Sequence, residues 1–164
     1  MKTYLPYYIT LIHPSSSSMR HIKSFIKEVY TKEHTITPLI LPPSIIICVS
    51  AQINTIINKS FPSPPREIAF NRFTHHKDKM FLTTDNSDFI NWYSSIQASF
   101  PPSIANEFLI AHSGFFIAEQ NTGQPEITLH NNDWRIATYL VTYNVENERV
   151  VSFYREKLEE KHLK

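Results

Sequence analysis

Glycine is nearly missing from this chain: Gly114 and Gly123 are the two in 164 residues. Phosphate loops and dinucleotide fingerprints need clustered glycines, so that backbone N–H groups can approach the phosphates closely. Two dispersed glycines cannot build either, which excludes the common nucleotide-binding folds. Cysteine is limited to Cys48. An internal disulfide is therefore impossible, which fits a reducing, intracellular compartment. With isoleucines around it and no base adjacent in sequence, Cys48 reads as a buried structural thiol instead of a nucleophile. No charge of one sign predominates: 16 Lys and Arg stand against 15 Asp and Glu, for a net charge of +1. A duplex-DNA binder draws its affinity from many cation–phosphate contacts, so duplex DNA is not an expected partner. Long apolar runs are also lacking. Residues 35–58 are nearly free of charge, but Pro38, Pro42, Pro43 and several polar residues interrupt them. A spanning helix needs ~20 mostly apolar residues in a row, so no membrane segment is expected. The N-terminal MKTYLPYYIT carries no apolar core with a cleavage site, and no signal peptide is expected.

What is present is a folding composition, 41% hydrophobic and 19% charged, on a chain of single-domain length. Eight histidines are the oddity, since their charge changes near pH ~6.5. The aromatic and β-branched run at 7–12 reads as a strand, stopped by His13-Pro14. Met19, Ile22, Phe25, Ile26 and Val29 fall at helical spacing, with Arg20, Lys23, Lys27 and Glu28 opposite. Residues 35–41 read as an edge or bulged strand, because Pro38 removes a ladder donor. The run 44–61 fits a buried strand at its start, but Ile45, Val49, Ile53, Ile56 and Ile57 share a helical face. Pro42-Pro43-Ser44 suits a helix entry, so helix is expected for most of it.

Pro62 to Pro65 form a stiff connector. Beyond it, 67–73 and 80–85 read as a hairpin around a polar turn at 74–79. A helix capped within 85–87 and stopped at Pro101-Pro102 follows. A strand broken or bulged near Gly114, a turn at 121–125, and a hairpin of 126–130 with 134–143 come next. The charged tail 147–164 reads as a helix with Val150, Val151, Tyr154 and Leu158 as its docking stripe. The expected fold is α+β and mainly antiparallel: one domain over 1–164, with pseudo-symmetric lobes at 1–61 and 66–143, flanking helices and a C-terminal helix.

Two histidines precede hydroxyl residues at the start of expected strands, His34 in HTIT and His112 in HSGF. Facing one cleft, two imidazoles can handle a phosphate ester. One takes a proton from the attacking oxygen, and the other gives one to the leaving oxygen. Thr35, Thr37 and Ser113 could donate hydrogen bonds to the non-bridging oxygens. Alternation along a strand turns His34 and Thr35 to opposite faces unless a bulge intervenes. Adjacent His75-His76, with Asp78 and His130, lack the ligand spacing of a zinc site and read as a solvated turn. Trp134 is the aromatic residue available to stack on a base or meet a partner.

This order of elements resembles the 2H phosphoesterase superfamily, which includes 2′,5′ RNA ligase-like proteins and cyclic nucleotide phosphodiesterases. The resemblance runs over most of residues 5–143 and is closest at REIAFNRFTHHKDKMFLTTDNSDFINWYSSIQASF. It implies a two-lobed fold with two His-x-Thr/Ser motifs and a reaction needing no metal or cofactor. His34 and His112 would be the acid–base pair, and an RNA end or 2′,3′-cyclic phosphate the substrate. The motifs depart from that pattern: Thr37 stands one place late after His34, and Gly114 takes the hydroxyl place after His112. The alternative is a non-catalytic module of the same fold that meets a protein partner, for instance through the C-terminal helix.

Overall fold

The computed structural model describes residues 2–14, 16–33, 36–77, 79–118, 127–130 and 134–164. Its elements run β1 (Lys2–Thr3), β2 (Tyr7–His13), α1 (Ser16–Glu33), a 3₁₀ turn (Thr37–Leu39), β3 (Ile45–Ser50), β4 (Glu67–Phe70), β5 (Arg72–His76), β6 (Lys79–Thr83), α2 (Ser87–Gln97), β7 (Phe115–Ala118), β8 (Ile127–His130), β9 (Trp134–Glu146) and β10 (Arg149–Leu163). All the strand pairs are antiparallel. The largest sheet holds β1, β9, β2 and β3, with β10 along the other side of β9. β4 pairs with β8, and β5, β6 and β7 form a third sheet. The fold is α+β.

β2 lies between β9 and β3, and its alternating side chains enter two different cores. Ile12 joins the larger core with Ile22, Ile26 and Val29 of α1 and Phe89, Trp92, Tyr93 and Ile96 of α2. Ile9 and Leu11 join the other with Ile40, Leu41, Phe108, Leu109 and Tyr143. The helical spacing of the α1 residues is what directs them to one side. α2 begins at an Asn86 cap whose Oδ1 accepts from the Phe89 amide at 2.9 Å, satisfying one of the free N–H groups of the first turn. Both helices lie where the sequence suggests, as does β2. The expected hairpin of 67–73 with 80–85 forms otherwise: Glu67–Phe70 pairs with β8, and β6 pairs with Arg72–His76, so residues 74–76 of the expected turn are strand.

Four further expectations are corrected. Residues 36–40 form the 3₁₀ turn and not a strand: Leu39 N bonds Ile36 O at 2.8 Å, and Ile40 N bonds Thr37 O at 3.2 Å. Pro38 has no donor for a ladder, but its fixed φ suits a first turn. The run 44–61 is a strand only over Ile45–Ser50 and no helix. Ile45, Ile47 and Cys48 enter one core and Ile46 and Val49 the other. Burial on both faces gives a continuous apolar run that periodicity cannot tell from a helix.

The C-terminal helix does not form; that tail is β10, joined to β9 by a two-residue turn with φ of 52° at Asn147 and 63° at Glu148. Val151 and Leu158, two residues of the expected helical stripe, are bulges with no partner on β9. Each bulge adds one residue to the period-2 pattern, which is how a strand acquired helical spacing. The pseudo-symmetric lobes also fail. β9 and β10 complete the sheet begun by β2, and β8 pairs with β4 instead of making a hairpin with β9. Among the described residues, no helix is long and apolar enough to cross a membrane.

Candidate functional site

The site is built around a strap, residues 103–114, that ties the largest sheet to the β5–β6–β7 sheet. Ile104 N bonds Val49 O at 2.9 Å, Val49 N bonds Ser103 Oγ at 3.0 Å, and His112 N bonds Ile46 O at 3.3 Å. The strap thus follows the free edge of β3 and satisfies part of it. Asn106 fixes its bend: Oδ1 accepts from Phe108 N at 2.8 Å, Leu109 N at 2.9 Å and the Tyr143 hydroxyl at 3.0 Å. Gly114 lets the strap meet β6 closely. A Cβ there would stand 2.6 Å from Thr83 Cγ2 and 2.8 Å from the Leu82 carbonyl.

His112 is laid by this strap on Phe81 of β6, ring centroids 4.2 Å apart and planes 22° from parallel. His76 of β5 approaches the same ring at 5.3 Å. His112 Nδ1 is buried and has no hydrogen-bond partner. Burial, and then the neighbouring His76, hold the His112 imidazole below its ordinary value, so it is neutral at pH 7. Lys79, at the start of β6, is only 9% exposed. Its ammonium lies 5.8 Å from the Phe108 ring centroid, and among the described residues it meets no carboxylate. At the other end of the hairpin Thr74 and Thr83 share a 2.7 Å hydroxyl contact, and Arg72 pairs with Asp85 at 3.7 Å.

Of the residues singled out from the sequence, His112 and the half-buried Ser113 are in this site. His34 and Thr35 lie outside the described residues. Thr37 comes near but turns inward: it is 3% exposed and borders a small cavity with Leu109, Phe116, Ser44 and Ile46. That cavity, about 20 Å³, has room for about one water and not for a phosphate. Trp134 is corrected: it is 2% exposed and packs edge-on to Trp92 at 5.4 Å in the larger core, so it cannot stack on a base or a partner. Cys48 is the buried thiol expected; its Sγ donates to Pro101 O at 3.3 Å, and burial pushes it up. Among the described residues no three metal-ligating side chains gather. His75 and His76 point to opposite faces of β5 by alternation, while Asp78 and the His130 side chain lie outside the described residues.

From the sequence, His76 and Lys79 read as parts of a polar turn. The available signal was their position. In a hairpin of 72–76 with 79–83, residues 76 and 79 face each other across the turn, on the face that carries Phe81.

A second imidazole cluster lies at the β2–β10 end of the largest sheet. Glu160 Oε1 accepts from Arg135 at 2.6 Å, and Oε2 accepts from Lys157 at 2.8 Å. His13 Nε2 stands 3.8 Å from Oε2, while Nδ1 lies 3.1 Å from the Pro14 carbonyl. Burial lowers His13 more than Pro14 and Glu160 raise it, so the ring is neutral at pH 7 and the contact is not an ion pair. Burial pushes the Glu160 carboxyl up, but the bonds from Lys157 and Arg135 together outweigh it and hold the group at about 2. No protein-family model matches the chain, and a search of curated proteins finds no match.

Proposed function

We propose that the chain is a metal-independent phosphoesterase acting on an RNA end or a 2′,3′-cyclic phosphate, with His112 as one imidazole of its acid–base pair. One observation carries this reading: two stretches far apart in sequence meet at one wall. The 3₁₀ turn that follows His34 and Thr35 packs against β7, which follows His112 and Ser113. An imidazole held neutral is suited to take a proton from an attacking oxygen. Ser113 is beside it to bond a non-bridging oxygen. His34 is the second imidazole that the sequence suggests.

The experiment is turnover of 2′,3′-cyclic nucleotides and short RNA in EDTA, by the full chain and by His112→Gln and His34→Ala. Turnover that falls at least a hundredfold in His112→Gln is the expected result. Absence of turnover in the wild-type chain, or turnover indifferent to both substitutions, overturns the reading. The inward position of Thr37 and the small cavity beside it favour a second reading, a module that binds a nucleotide or RNA end without converting it. Saturable binding with no turnover would select that one.

A further inference from the structure

The phosphate donors expected from the first motif leave a gap, because Thr37 is buried beside a cavity too small for a phosphate. Two basic side chains stand unassigned where they could fill it. His76 and Lys79 are direct partners across the β5–β6 hairpin, and partners in an antiparallel ladder project from the same face. Alternation along β6 puts Phe81, the ring beneath His112, on that face too. His76 is exposed on the solvent side, whereas Lys79 is buried under the strap. Lysine side chains as covered as this one are ordinarily paired with an acceptor. Here, among the described residues, Lys79 has an aromatic ring for company and no carboxylate. Asp85 is engaged by Arg72 at the far end of the hairpin. A phosphate would supply what is missing, a negative charge beside Lys79, with acceptor oxygens for the exposed His76 ring.

We propose that His76 and Lys79, together with His112, form the phosphate cradle of this site, with a terminal or cyclic phosphate of a nucleotide as its ligand. This rests on the functional reading of His112 given above, and it moves the anchoring role from Thr37 to the hairpin. The titratable groups sharing the His112 face are His76 from β5 and Lys79 from β6. The strap and the 3₁₀ turn add the hydroxyls of Ser113 and Thr37, which do not titrate near neutrality. His75, one residue away, points to the other face of β5 and serves as an internal control.

Ring-proton NMR of the full chain, titrated with inorganic phosphate and with adenosine 2′,3′-cyclic phosphate, tests the cradle. At pH 7 the His76 and His112 signals should move along one saturating curve while His75 stays still. Bound phosphate should raise the titration midpoint of His112, since an anion favours the imidazolium. His76→Gln and Lys79→Met should each weaken phosphate at least tenfold, and His75→Gln should leave it unchanged. His76 is exposed, so its variant decides the matter even where Lys79→Met does not fold. Absence of saturable shifts, or wild-type affinity in His76→Gln, overturns the cradle even where cyclic nucleotides are turned over. Binding that is lost in His76→Gln, without any turnover of cyclic nucleotides, upholds the cradle and overturns the phosphoesterase reading.

Discussion

Two clusters in this molecule bring an imidazole together with lysine, and they differ in one component. Around Glu160 the carboxylate is supplied by the chain itself: Arg135 and Lys157 are paired with it, and His13 rests neutral beside it. Around His112 no carboxylate is present among the described residues, although Lys79 is the more deeply buried of the two lysines. The first cluster is complete as a structural device, linking β2, β9 and β10 at one end of the sheet. The second is complete only with an anion from outside. Composition alone would not separate them; whether the negative charge comes from the chain does.

The comparison can be broken most severely through the strap. Asn106→Ala leaves the Phe108 and Leu109 amides and the Tyr143 hydroxyl without their acceptor, which should cost about 3 kcal/mol, read as a lowered denaturant midpoint. The His112 ring should lose its stacked environment in the same variant, while Glu160 still titrates near its wild-type value by carboxyl NMR. Gly114→Ala comes next. Its Cβ would press on the Leu82 carbonyl, and displacing backbone there should cost about 1–3 kcal/mol.

Glu160→Gln acts on the other cluster and should cost about 1–2 kcal/mol at neutral pH, since its cationic partners are half exposed. Its folded value of about 2 lies below the ordinary 4.5. The wild-type stabilisation is therefore complete above about pH 4.5 and disappears as pH falls from there towards 2. The variant should be flatter than the wild type across that window in pH-dependent unfolding. The smallest effect is expected from Lys79→Met, and it should have the opposite sign. Removing a buried charge without a counter-ion should be neutral or stabilising by up to about 1 kcal/mol. A destabilisation as large as that of Glu160→Gln would mean that Lys79 has a partner in the folded chain, and the contrast between the clusters would fail.

The sequence made legible those elements whose physics is local. The α1 stripe, the Asn86 cap and the β2 run each carry their signal within a dozen residues. Segments whose state is set by distant partners were misread. β3 is apolar on both faces because strands from two cores enclose it, and nothing nearby in the chain says so. β10 resembled a helix because its two bulges altered the spacing of its apolar residues, and because its turn has no glycine to announce it. Within the candidate site, His112 was recognisable from the hydroxyl beside it. Lys79 was not, because its burial depends on Phe108 arriving over it along the strap. Trp134 was given a surface role that packing against Trp92 and Phe89 removes.

The order of the largest sheet also bears on how the chain is made. β2 leaves the ribosome long before one of its neighbours, β9. Until β9 has been synthesised, β2 and β3 present an open, isoleucine-rich edge with nothing to pair on one side. Contacts of such long separation form slowly, and an uncovered strand edge invites association with other chains in the meantime. Shortened forms that end before Trp134 would carry that edge permanently, so they are expected to aggregate instead of folding as smaller domains.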